Sequence, residues 1–463
     1  MNSNNQLELP SKITHISVSG LLGDKNFEIP INENLITLLT GENGIGKSTL
    51  LNLIFATLNF DCEQLIQIAF TRINIDFLDG RCIEVYRGSD STASHFIVIR
   101  INNNVQRFRF EEEREVGLNA RVLQNLNPQR FIDEELPQLQ KIKSDNRFLD
   151  LSTGEELSPR QVTQKFGDLI PARILDYWTR SFVPPEMEDK FSDIRIARID
   201  ANRLVGRILD AAPSERRGFP ARRSQFRKAS AVRDAQTYLQ MQIRQALADY
   251  GRKSQELDQT FAERLVTQQG ADPSSYSRDE IERKGIAVAE DRKRLANLNL
   301  IEKSKNVEVR LPNLEPESLK IMHTYYEDHI KKNGELIKFA NKLELLTNLI
   351  NQKFKNKLYE IDRDEGFLIK DENGNLLDPD KLSSGEQHLI VLFHNMLTSR
   401  EPSNFYLIDE PEISLHIAWQ LELLTDLEAI GKLVPAQHLI ATHSPQIIGH
   451  RFELEIPLEP KYA

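Results

Sequence analysis

Nine consecutive residues, Gly41-Glu42-Asn43-Gly44-Ile45-Gly46-Lys47-Ser48-Thr49, carry the strongest chemical signal in the chain. They satisfy the spacing G-x-x-x-x-G-K-[ST], in which glycines let the backbone curl until its N–H groups face phosphate oxygens. Lys47 can then reach β- and γ-phosphates, and the Ser48 hydroxyl can ligate Mg2+. Asn43, Gly44, Gly46, Lys47, Ser48 and Thr49 are therefore candidate binding residues, with ATP and Mg2+ as the implied cofactors. A second segment, Phe405-Tyr406-Leu407-Ile408-Asp409-Glu410-Pro411-Glu412, is an apolar strand that ends in adjacent acids. Asp409 would hold Mg2+, and Glu410 would polarise an attacking water as general base. Alone such a pair is common; a phosphate loop on the same chain gives it meaning.

Two other segments are less specific by themselves. Leu382-Ser383-Ser384-Gly385-Glu386-Gln387 precedes an apolar helix, so Ser383 reads as a helix cap at a terminus that can present donors to an anion. Ala441-Thr442-His443-Ser444-Pro445 places a histidine just past a buried strand, where a lone histidine is usually structural.

The elements that must position these groups follow from periodicity. Residues 13–21 and 27–31 alternate, and 35–39 is a continuous apolar run suited to a buried strand. A helix is expected over 48–59. Short alternating strands at 72–77, 82–87, 96–101 and 106–110 predict an antiparallel β-layer. From about 111 to 358 strand signals fade and charges become dense. Leu239, Ile243, Leu247, Tyr250, Leu257, Phe261 and Leu265 form one helical stripe, and Leu336, Phe339, Leu343, Leu346, Ile350, Phe354 and Leu358 another. Both read as core packing of a short antiparallel helix pair. Beyond 358 the α/β character returns, with a hairpin turning at Asn373-Gly374, a helix over 385–399, a strand over 405–408, a helix over 413–431 and a strand over 439–442. The expected divisions are 1–115, 116–357 and 358–463, the two ends forming one α/β domain around a helical insertion.

In this order the motifs resemble those of ABC-type ATPase heads. The resemblance covers 1 to about 115 and about 358 to 450, and implies an α/β P-loop core with an antiparallel β-layer, interrupted by a helical or coiled-coil insertion. It implies that Ser383 and Gly385 cap the γ-phosphate bound to a second copy, so that two chains meet head to head as a homo-oligomer. It also implies that His443 is a switch histidine with a catalytic role beside Glu410, and that Ser414 and His416 face the dimer. A lobe-coupling glutamine has no clear counterpart; Gln64 and Gln67 are the candidates.

The phosphate loop and signature segment lie about 335 residues apart, which is similar to the soluble RecF-like, SMC-like and OLD-like (overcoming-lysogenization-defect-like) branch rather than to transporters. The chain ends twenty residues after His443, so a nuclease of the kind that follows OLD-like heads is expected on a separate polypeptide. Stand-alone heads of this type resemble the ATPase subunits of the antiphage systems PARIS and Septu, in which an ATPase scaffold senses infection and controls an effector. The alternative is a RecF- or SMC-like DNA-repair ATPase.

Composition sets the remaining limits. A chain of 463 residues, 40% hydrophobic and 28% charged, has room for two or three domains, and a net charge of −10 argues against a nucleic-acid coat. Cys62 and Cys82 match no zinc or disulfide spacing, the N-terminus lacks a secretory pattern, and no apolar run is long enough to span a membrane; a cytoplasmic protein is expected. Against this acidic background, residues 195–233 hold eleven basic residues (Arg195, Arg198, Arg203, Arg207, Arg216, Arg217, Arg222, Arg223, Arg227, Lys228 and Arg233) and three acids. Three readings stand: a solvated surface paired with the chain's own acids, a docking face for an acidic protein or viral trigger, and a nucleic-acid site.

Overall fold

The computed structural model describes residues 12–32, 35–89, 95–101, 104–110, 136, 138–142, 147–151, 154, 156–157, 162, 165–166, 191, 193–200, 205–206, 229–267, 277–302, 316–398, 403–459 and 461–462. The chain opens with β1 (Ile13–Leu21), β2 (Lys25–Pro30), β3 (Ile36–Thr40), α1 (Lys47–Leu58), α2 (Cys62–Gln67), β4 (Arg72–Phe77), β5 (Cys82–Ser89), β6 (His95–Ile101) and β7 (Asn104–Phe110). β1, β2 and β4 bury roughly alternate residues, with a bulge in β1 between Ile13 and His15, whereas β3 is buried at all five positions. That difference separates two sheets, because a one-faced sheet needs alternation and a strand covered on both faces needs an apolar run.

Next come β8 (Leu139–Ile142), β9 (Arg147–Asp150), β10 (Glu156–Leu157), β11 (Ile196–Asp200), β12 (Val205–Gly206) and β13 (Ala229–Ser230). A helical block follows: α3 (Ala231–Thr267), α4 (Arg278–Asn297), α5 (Pro316–Lys353), β14 (Lys357–Asp362), β15 (Gly366–Asp371), β16 (Leu376–Leu377) and α6 (Ser384–Leu397). The last elements are β17 (Phe405–Asp409), α7 (Ile417–Leu433), β18 (Gln437–Ala441), α8 (Pro445–Ile448), β19 (Glu455–Pro457) and β20 (Lys461–Tyr462).

The chain forms two compact units, Met1–Ala229 with Glu401–Ala463, and Ser230–Arg400. In the first, an antiparallel layer has strand order β20-β2-β1-β4-β5-β6-β7, and a five-stranded sheet has order β11-β17-β18-β3-β19 with every neighbouring pair parallel. Helix α1 is apolar almost all round. Its Leu50, Leu51, Leu53 and Ile54 join one core with Ile16, Val18, Ile73 and Ile75 of the antiparallel layer and with Leu39, Leu407 and Leu439 of the parallel sheet. This is the α/β core and antiparallel β-layer expected from the sequence.

The strands β8 to β13 correct the expectation of a helical 116–357: β8, β9 and β10 form a small sheet of their own, β12 pairs with β13, and one strand joins the core. β11 enters the parallel sheet as its edge strand beside β17, pairing Ile196 with Phe405 through to Asp200 with Asp409.

The second unit groups the helices with the hairpin and α6, so residues 358–400 cluster there rather than with the C-terminal lobe. The cause is close packing on α3. Gly366 adopts φ +82°, and a Cβ there would lie 2.4 Å from the Gln236 carbonyl oxygen; the Gln236 amide donates to Phe367 O at 2.7 Å. Tyr359 and His394 form a buried hydrogen bond of 2.8 Å that ties β14 to α6. There are two turns, not one, since β14–β15 and β15–β16 both pair antiparallel, and Asn373-Gly374 lies in the second. Leu239, Ile243, Leu257, Leu336, Leu343, Leu346, Ile350 and Phe354 are buried as a packing stripe requires. Leu358 departs from its stripe, because α5 stops at Lys353 and the residue lies exposed on β14. The outer edge of β14 is closed by side chains: Asn351 accepts from Tyr359 N (2.8 Å) and donates to Tyr359 O (2.9 Å), and Asn299 donates to Ile361 O (3.0 Å).

Candidate nucleotide site

Three strands of the parallel sheet end side by side. Leu39 of β3 lies beside Ala441 of β18, which lies beside Asp409 of β17. Each chain then leaves the sheet at the edge where open α/β folds present their ligand loops.

From β3 the chain enters 41–46. Gly44 (φ +79°) and Gly46 (φ +109°) hold left-handed conformations that side chains resist, and a Cβ on Gly46 would press within 3.1 Å of Leu22. The turn delivers the chain into α1, whose unpaired N–H groups and dipole favour an anion. Lys25 of β2 donates to the carbonyls of Gly44 (3.2 Å) and Ile45 (3.1 Å), pinning the loop from outside. Nothing in the spacing marks Lys25, since it depends on strand pairing.

Lys47 is buried, with its ammonium donating to Gly41 O (3.0 Å) and Glu42 O (3.3 Å) and touching Nε2 of His443. Burial pushes its pKa below the ordinary lysine value, while the carboxylates of Glu410, Asp409 and Glu412 oppose that shift in decreasing order. Ser48 Oγ donates to Asp409 Oδ1 at 3.1 Å. Asn43 is exposed in the loop and Thr49 half-buried in the first turn of α1.

Glu410 has φ +47° and ψ +54°, a left-handed backbone costing a side-chain-bearing residue on the order of 1–2 kcal/mol. Its N–H donates to Ala441 O at 2.8 Å, which holds the turn against the next strand. Glu412, quoted in the sequence only as part of the acidic run, accepts from the His443 backbone N–H at 2.6 Å. Gln420 of α7 donates to Glu412 O and Leu415 O and accepts from Ser444 Oγ at 2.7 Å, so a buried amide locks the histidine segment to the acidic one. Arg198 of β11, counted in the basic run, places Nη2 3.4 Å from Asp409 Oδ2. The fold thus brings together Lys47, Ser48, Asp409, Glu410 and His443 and adds Lys25, Arg198, Glu412 and Gln420.

Ser48 Oγ and Asp409 Oδ1 are adjacent hard oxygen donors of the kind Mg2+ takes. Among the described residues no three or more His, Cys, Asp or Glu side chains gather as a metal cage.

The signature residues lie in the second unit. Ser383 caps α6 in a capping box: Glu386 N–H donates to Ser383 Oγ (3.3 Å), and Ser383 N and Oγ both donate to Glu386 Oε2 (2.9 Å each). Gly385 is buried in the first turn. Lys357 pairs with Glu386 at 2.6 Å; burial raises the Glu386 pKa, but its hydrogen bonds with Lys357 and Ser383 bring it below the ordinary value.

Other candidates fall elsewhere. Gln64 and Gln67 sit on α2 rather than at a parallel strand end, and the position beside Asp409 is taken by Asp200. His416 is exposed and caps α7, with Nδ1 accepting from Ala418 N at 3.3 Å; the Ser414 side chain lies outside the described residues. Of the basic run, Arg195, Arg198 and Arg233 are described, and Arg233 pairs with Asp378 and Asp380; Arg203, Arg207, Arg216, Arg217, Arg222, Arg223, Arg227 and Lys228 lie outside the described residues.

These features define a phosphate-loop nucleotide-binding protein with an α/β core. Residues 12–448 match the AAA ATPase domain family, and the chain belongs to that family. No curated protein matches it. Among solved structures it is similar to an Smc head domain with an extended coiled coil bound to the C-terminal domain of ScpA, from Pyrococcus furiosus, at 13% identity and TM-score 0.39, covering 95% of this chain and 91% of that one. It is also similar to an SMC head domain from Thermotoga maritima, at 11% identity and TM-score 0.34, covering 94% and 91%. Among the described residues no helix is long and apolar enough to cross a membrane.

Proposed function

We propose that this protein binds Mg2+-ATP at the Lys47 site and hydrolyses it to ADP and phosphate. The observation that carries this reading is the convergence of Ser48 with Asp409, beside Lys47 and His443, across more than 350 residues of sequence. Lys47 exchanges its loop carbonyls for β- and γ-phosphate oxygens, and the N–H groups of 43–49 cradle the phosphates. Ser48 and Asp409 would hold Mg2+, which would supply positive charge to the phosphates. Glu410 takes a proton from the attacking water, whose oxygen bonds to the γ-phosphorus as the bond to the β–γ bridging oxygen breaks. His443 contacts the γ-phosphate, held in place by Glu412 and Gln420. Ser383 and Gly385 of a second copy cap the same phosphate, so the active form is a homo-oligomer.

At the level of the cell, the resemblance to stand-alone antiphage ATPases supports an ATP-dependent scaffold that senses infection and controls a separate nuclease-type effector. The rival, duplex-DNA binding through the basic run, draws no support from Arg198 and Arg233, which already face carboxylates. Turnover by the wild type, Lys47→Ala and Glu410→Gln tests the chemistry; a wild type no faster than Glu410→Gln overturns the role given to Glu410. Co-purification of an effector from native cells tests the scaffold reading, and full function as an isolated monomer contradicts it.

A further inference from the structure

Arg198 lies opposite Leu407 in the β11–β17 register, and Asp409 follows two residues later on the same face of the sheet. The guanidinium therefore runs along the strand direction to meet Asp409 Oδ2 at 3.4 Å, with the two side chains only 12% and 8% exposed. The other carboxylate oxygen, Oδ1, accepts from Ser48 Oγ at 3.1 Å. A carboxylate this buried needs a countercharge. The Lys47 ammonium, which also feels the Asp409 charge, makes its hydrogen bonds to Gly41 O, Glu42 O and His443. A guanidinium presents a planar fork of N–H donors that suits a carboxylate.

We propose that Arg198 is a placeholder cation: it neutralises and orients Asp409 in the nucleotide-free protein and yields that carboxylate to Mg2+ when ATP binds. The proposal rests on the reading of this site as a Mg2+-ATP site. Arg198 acts through Asp409 and is a positioning residue. It sets how much Mg2+ the site needs, because any ion entering must displace a fixed positive charge.

The test uses the full-length protein and a fluorescent methylanthraniloyl-ATP. Mg2+ is titrated at fixed nucleotide, and thermal unfolding is followed with and without Mg2+-ATP. Arg198→Gln should lower the half-saturating Mg2+ concentration about tenfold, since a like charge is removed and the competitor is gone. It should also lower the nucleotide-free melting temperature by several degrees, most of which Mg2+-ATP restores. Arg198→Lys, which keeps the charge on a shorter reach, should fall between and serves if the glutamine variant does not fold. A Mg2+ midpoint that is unchanged or raised in a folded variant, or equal destabilisation of free and bound forms, overturns the proposal alone. A wild type that takes up no nucleotide at any Mg2+ concentration overturns the underlying reading, and this inference with it.

Discussion

The phosphate-loop region and the signature region are both helix N-termini, yet they are held in opposite ways. Around Lys47 the contacts join residues 361 and 396 positions apart, and the cations rest on groups a ligand could replace, namely loop carbonyls, a histidine ring and one carboxylate. Around Ser383 the contacts join residues three apart, and the serine hydroxyl already has a donor and an acceptor partner on Glu386. The first site can exist only when the whole parallel sheet has formed. The second needs little more than its own helix, so its geometry by itself says less about function.

That contrast can be broken or sharpened by measurement. Glu410→Gln should cut kcat by about 10²- to 10⁴-fold while nucleotide affinity stays near wild type, as expected for loss of a general base. Parallel loss of binding would place Glu410 in structure rather than chemistry. Lys47→Ala should weaken Mg2+-ATP binding by about a hundredfold through loss of charge-assisted hydrogen bonds, read by equilibrium titration.

Acid should reach both units, because each buries a neutral histidine. His438 on β18 has its pKa lowered to about 4 by burial, partly opposed by a hydrogen bond with Leu35, and His394 on α6 is lowered to about 3 by burial. Unfolded histidine takes up its proton near pH 6.5, so below that value the unfolded state binds protons the folded state refuses. Stability is therefore complete above about pH 6.5 and declines as pH falls toward 4 and 3, by on the order of 1.4 kcal/mol per pH unit for each histidine. Urea midpoints between pH 7.5 and 5 should flatten in His438→Phe and in His394→Phe; unchanged slopes would refute the assignment.

The smallest effect separates the two roles of Ser383. Ser383→Ala should cost about 1 kcal/mol as a lost cap, and Ser383→Asp, which keeps the acceptor but sets a second carboxylate against Glu386, a comparable amount. If Ser383 also faces a phosphate of another copy, the aspartate should abolish ATP-dependent association. Association unaffected by that added charge would confine Ser383 to capping.

What the sequence disclosed follows the same division. Gly41 to Thr49 could be read because its chemistry is contiguous, and β1, β2 and β4 because polar residues alternate outward. β11 could not. Ile-Ala-Arg-Ile-Asp is short, is flanked by arginines and reads as part of a basic run, and only its pairing with β17 gives Arg198 a meaning. Lys25, Glu412 and Gln420 were hidden for a related reason: each is defined by a partner brought close by strand register or helix packing. The grouping of 358–400 with the helices likewise depends on the contact of Gly366 with α3, which no periodicity reports.

The amides of Asn299 and Asn351 have a consequence for how copies of this chain can join. A bare outer strand invites another polypeptide to continue the ladder, a route to fibres and exchanged strands. Here the outward groups of Tyr359 and the carbonyl of Ile361 are already engaged, so an incoming strand would have to evict two side chains before its first bond. Growth by sheet extension along β14 is disfavoured, and self-association is steered toward side-chain surfaces.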